Sequence, residues 1–168
     1  MLNIKVTLFT AASLVLIWGC PMQTENSIDN GSYPVPDWLT GKWMEIRNDS
    51  HGSIYMFNKD DVNPYMLKAF TFDSTGFFGN SDTVRILLSD IDGSVFFNFY
   101  NSGENSNVSY LIFKMERTGK GEIMLRGLKE GLLDYSASQD EIKSFLIQNV
   151  KSDTIYDTLE PILLRKGN

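Results

Sequence analysis

The chain is interrupted by turn-forming residues too often for long helices to develop. Asp49-Ser50-His51-Gly52, Asp60-Asp61-Val62-Asn63-Pro64, Asp73-Ser74-Thr75-Gly76, Asp90-Ile91-Asp92-Gly93, Asn101-Ser102-Gly103 and Thr118-Gly119-Lys120-Gly121 begin eleven to seventeen residues apart. Asp, Asn and Ser collect at such points because their side chains hydrogen-bond the nearby backbone, and Gly because it reaches positive φ without strain. Segments of the length left between these corners suit strands.

The residues between the corners agree. They are rich in aromatic and β-branched side chains, which pack well on a pleated surface. In residues 95–100 Val95, Phe97 and Phe99 share one face and Asn98 the other, with Phe96 and Tyr100 blurring the contrast. In residues 108–116 Leu111, Phe113 and Met115 form an apolar set opposed by Lys114 and Glu116. Further strands are expected over 42–48, 53–58, 66–72, 83–89, 121–126 and 162–166. One helix stands apart. Ser138 and Glu141 have the spacing at which each side chain satisfies the other's backbone amide. Ile142, Phe145 and Leu146 then form an apolar stripe that can cover a sheet or the open end of a barrel. About eight antiparallel strands in one domain imply a sandwich or a closed barrel.

The first twenty residues have a different character. Lys5 supplies one positive charge, residues 6–18 are almost wholly apolar, and Gly19-Cys20 follows. A basic start, a short apolar run and a small residue before a cut are the parts of a secretory signal. The run falls short of the ~20 apolar residues a membrane-spanning helix needs. Leu16-Ile17-Trp18-Gly19-Cys20 resembles the lipobox of bacterial lipoproteins, although Trp18 stands where a small residue is usual. The resemblance implies residues 1–19 as a cleaved signal, a lipid (diacylglyceryl and acyl, palmitate-like) on Cys20, and a lipoprotein held at a membrane of the bacterial cell envelope. Cys20 is the single cysteine, so no intramolecular disulfide competes for it. Residues 20–35, polar and holding Gly and Pro, read as a flexible tether, and the domain as residues 36–168.

Removing Lys5 from the 15 basic residues leaves 14 against 21 acidic ones, a charge of −7. That balance argues against nucleic acid, whose phosphates are bound by Lys and Arg clusters. The expected partners are the membrane, a small apolar ligand, or another envelope protein.

Gly41-Lys42-Trp43, after Pro36-Asp37-Trp38-Leu39, resembles the Gly-x-Trp signature of the lipocalin and calycin superfamily. The resemblance implies an all-β fold: a single antiparallel, lipocalin-like barrel with one late α-helix before the last strand. It also implies a tryptophan closing the bottom of that barrel and a late-strand arginine across it, for which Arg126 and Arg165 are available. Leu39-Thr40-Gly41-Lys42-Trp43 is similar as well to the opening of avidins, but no tryptophan follows Trp43 to line a biotin pocket.

Alternation along the first of these strands sends Trp43, Glu45 and Arg47 to one face and Met44 and Ile46 to the other. Two arrangements answer to that pattern. Glu45 and Arg47 line a cavity above Trp43, with Tyr55 beside them, and meet a small ligand. Alternatively, a bulge turns them to solvent as an exposed ion pair of little energetic value.

Catalytic chemistry is hard to assemble, and no enzyme, metal or cofactor is expected. His51 is the only histidine and sits in a turn; no Gly-x-Ser-x-Gly elbow occurs. His and Cys cannot furnish three or four metal ligands. Asp60-Asp61 and Asp90-x-Asp92 lie where Asp serves local turn bonding.

Overall fold

A computed structural model describes residues 22–46, 51–72, 83–102, 108–157 and 161–167. Among them are nine strands and one α-helix: β1 (Gln23–Thr24), β2 (Gly41–Ile46), β3 (His51–Lys59), β4 (Met66–Phe72), β5 (Val84–Ile91), β6 (Ser94–Ser102), β7 (Val108–Gly119), β8 (Glu122–Gly127), α1 (Gln139–Asn149) and β9 (Ile162–Lys166). From β2 to β9 each strand pairs antiparallel with the next, and β9 returns to pair with β2. Eight strands thus close into an up-and-down barrel. Closure pairs each of these eight strands on both sides, where an open sheet would leave two edge strands exposed.

The bottom of the barrel is the end where β2 begins and β9 finishes. Here the corners are tight. Asp92 (φ 51°) and Gly93 (φ 77°) turn β5 into β6 with two successive positive φ values, the mirror-image turn that suits a twisted hairpin. Asp60 accepts the amides of Val62 and Asn63 at 2.9 Å each, and its carboxylate lies 3.0 Å from the Lys68 ammonium. These bonds hold its pKa down to about 2.

Alternation fills the interior as expected. Trp43, Phe57, Leu67, Ile86, Phe97 and Leu125 are among the side chains packed inside. The blur in β6 has a physical cause. Phe97 points inward, while Phe96 and Asn98 point outward and are fully buried too, because a second layer covers that side of the wall.

Two stretches build that layer. One is α1, opened by the expected capping box: Ser138 Oγ accepts the Glu141 amide at 3.3 Å and Glu141 Oε2 accepts the Ser138 amide at 2.8 Å. Its Ile142 and Leu146 lie against the outside of the wall with Ile91, Phe96 and Ile112. The helix therefore covers a face of the barrel.

The other stretch is residues 22–35, and here the expected tether is corrected. β1 inserts beside the first half of β7, with Gln23 opposite Leu111 and Thr24 opposite Tyr110. The Met22 amide donates to Leu128 O at 2.8 Å, and Val35 N to Pro64 O at 2.9 Å. Met22 and Ile28 are buried in the outer layer, and Val35 is buried with the interior cluster of Leu39 and Trp43. The polar residues between them bond to the barrel. Asn98 Oδ1 accepts the Ile28 amide at 3.0 Å, and Asp29 accepts Ser89 Oγ at 2.6 Å and Ser32 Oγ at 2.7 Å. Residues 22–35 thus belong to the folded unit, and the composition that suggested flexibility instead supplies hydrogen bonds.

Candidate functional site

The two ends of the barrel differ in how they are finished. At the bottom a 3-10 turn, Asp37–Leu39, follows Pro36 and tucks Leu39 beneath the strands. Trp43 is fully buried and its indole N–H donates to Leu39 O at 2.7 Å. Trp38 meets it edge-on, ring centroids 6.4 Å apart. The expected arginine is corrected. Arg126 lies outside the wall over the Tyr156 ring at 4.5 Å and bonds Asp153 at 2.8 Å, and Arg165 bonds Glu122 at 2.8 Å. The cation at Trp43 is Lys166 of β9, 5.8 Å from the ring centre, with its ammonium donating to Trp38 O at 2.6 Å. Arg117 stacks on Trp38 at 4.8 Å. Either cation gains from the electron-rich ring face.

Toward the top, polar and aromatic groups meet. Glu45 projects inward as alternation requires, and is only 6 % exposed. A register irregularity does fall between Met44 and Ile46, but the bulge leaves the carboxylate inside. Glu45 Oε2 accepts the Ser53 amide at 3.3 Å. Gly52 makes room for the bulge: a Cβ there would lie 2.7 Å from the Glu45 Cβ, closer than packed atoms tolerate. Among the described residues Glu45 is the one buried carboxylate. Removing a carboxylate from water is costly unless hydrogen bonds or charges compensate it.

Tyr55, across the ladder from Trp43, also faces inward and is half-buried, tilted on Phe57 at 6.1 Å. Beyond it Phe99 packs against Phe97 at 6.0 Å and edge-on to Phe113 at 5.2 Å. Val84 begins β5 and Ile162 begins β9; both are half-buried at this same end. Trp43, Glu45 and Tyr55 thus share one interior, the first of the two arrangements that alternation allowed. Arg47 and Cys20, with residues 1–19, lie outside the described residues. Phe99, Phe113, Val84, Ile162 and Ser53 join the site without having been singled out from the sequence. For Phe99 and Phe113 the signal was present in the alternation of their strands.

The Asp pairs have local roles. Asp60 is engaged as described, Asp90 accepts the Gly93 amide at 2.9 Å, and Asp92 pairs with Lys151 at 3.1 Å. Among the described residues no three His, Cys, Asp or Glu side chains are grouped to hold a metal. No family model, curated protein or solved structure matches this chain.

Proposed function

We propose that the protein is a lipoprotein of the bacterial cell envelope, anchored through a lipid on Cys20, whose lipocalin-like barrel binds a small apolar or amphipathic ligand without catalysing a reaction. The observation that carries this reading is the contrast between the barrel's ends. The bottom is sealed by fully buried Trp43 and Leu39, whereas toward the top half-buried Tyr55, Phe99 and Phe113 lie near a buried carboxylate. Binding sites combine an apolar lining with a few placed polar groups. In this reading the ligand's apolar body lies against the three rings and its polar end reaches Glu45, with Arg47 a further contact. The anchor is the lipid; no helix among the described residues is long and apolar enough to cross a membrane.

Native mass spectrometry of the full chain isolated from membranes tests this, together with titration by the apolar fluorophore N-phenyl-1-naphthylamine. Retention of a small molecule, or probe fluorescence that a Phe113→Ala variant weakens, supports it. A folded chain that carries nothing and binds no probe sinks it.

One observation favours a second reading. The ring contacts Trp43–Phe57–Phe97–Phe99–Phe113 run unbroken through the interior. That suits a filled barrel serving as an accessory or inhibitor that touches another envelope protein. In that case the probe stays dark and an envelope protein cross-links to the native chain.

A further inference from the structure

Anchoring through Cys20 combines with the packing of residues 22–35 to fix how the domain faces the membrane. We infer that the domain sits flush on the bilayer, with the loop of residues 129–136 at the headgroup layer, and does not stand off on a tether. This rests on the proposed lipidation of Cys20.

Met22 is buried and its amide is fixed to Leu128 O at 2.8 Å. Only Pro21 lies between it and Cys20, and a fully extended chain covers no more than about 7 Å over those two steps. The glycerol carried by Cys20 therefore cannot be far from the surface around Met22. The neighbouring surface is the loop after β8. Glu25 N donates to Tyr135 O at 2.8 Å and Asn26 Nδ2 to Ala137 O at 3.0 Å, so residues 22–26 run alongside it.

The exposed character of that loop fits one occupant, a lipid surface. Tyr135 is 42 % exposed, and Leu132 and Leu133 are half-buried. Tyrosine with an apolar body and a wet tip is the residue type that gathers at membrane interfaces. Lys129 stands there with Glu130 and Asp134. With no basic cluster, contact relies on the anchor and on apolar burial, and does not require anionic headgroups.

The test uses the full lipidated chain in phosphatidylcholine vesicles. A single cysteine is placed at Ser136→Cys, or at Val62→Cys in the β3–β4 turn across the barrel, and carries an environment-sensitive fluorophore. Headgroup-attached quencher lipids are expected to quench the label at 136 severalfold more than the label at 62, with 1 M salt leaving the ratio unchanged. Inserting twelve Gly/Ser residues between Pro21 and Met22, with a root-mean-square span of about 20 Å, should equalise the two while vesicle binding persists. Intact mass separates the two ways of failing. A chain without acyl groups removes the anchor and the placement together. An acylated chain quenched equally at 136 and 62 overturns the placement alone.

Discussion

The barrel interior and the layer outside it are both buried, yet they are held by different means. Inside, strands adjacent in sequence supply an aromatic column, and among the described residues Glu45 is the one buried charged side chain. Outside, the contributors come from far apart in the chain, and buried Thr24, Ser27, Ser89, Asn98 and Ser109 lie at or beside that layer. Asn98 shows why. It accepts the Ile28 amide and donates to Leu87 O at 2.9 Å and Ser89 Oγ at 3.0 Å, tying an irregular segment to a regular wall. Alternation is enough to place a strand. A segment without periodicity is placed by hydrogen bonds that only one position satisfies.

The largest effect should come from deleting residues 20–35. Burial of Met22, Ile28 and Val35 contributes roughly 1.5–3 kcal/mol each, and the outer face of β6 loses its cover. The shortened chain is expected to bind the dye ANS and to lose its cooperative urea transition; a transition matching the full chain would show that the outer layer is dispensable. Next come single truncations in each core. Trp43→Ala inside and Phe96→Ala outside should each cost about 3–5 kcal/mol, measured by urea unfolding. A loss below about 1 kcal/mol for Phe96→Ala would mean that only the interior is a true core. Asn98→Ala should cost about 1–3 kcal/mol by stranding the buried Ile28 amide. Hydrogen exchange at Ile28 should then quicken while interior amides such as Phe57 hold; equal quickening at both would deny the outer layer its separate fastening.

The smallest effect is alkaline. Burial pushes the Tyr156 phenol up to about 12 from an ordinary value near 10. Because the folded value is the higher one, the neutral phenol's contribution is complete below pH 10 and is lost as pH rises from about 10 to about 12. Its hydroxyl also donates to Val150 O at 2.9 Å, within the outer layer. Wild type should lose more stability across that window than Tyr156→Phe, in which Tyr110, also raised by burial, still titrates. Parallel curves would remove Tyr156 from the account.

Much of the barrel was legible because its signals are local. The ranges 66–72 and 162–166 coincide with β4 and β9, and the Ser138 and Glu141 spacing located α1. Trp43 and Glu45 were assigned to the correct face by counting in twos. Residues 22–35 were not legible, since Met22, Ile28 and Val35 follow neither period and their partners lie in the segment after β8, in β6 and in the β3–β4 turn. Lys166 in place of an arginine was equally hidden. A cation over a ring leaves no spacing to read when 122 residues separate Trp43 from Lys166. The bulge at Glu45 was foreseen as a way of expelling the carboxylate, but Gly52 allows β3 to close against it.

The ring of strands closes between β2 and β9, and the outer layer joins residues 22–35 to residues 128–157. Hairpins from β3 to β8 can form as each pair of strands emerges from synthesis. Both seals must wait for the final quarter of the chain, and such distant contacts are slow to find. Until then a nascent chain displays Phe96 and Ile112 uncovered, so the interval before its last forty residues appear is when it most needs a chaperone.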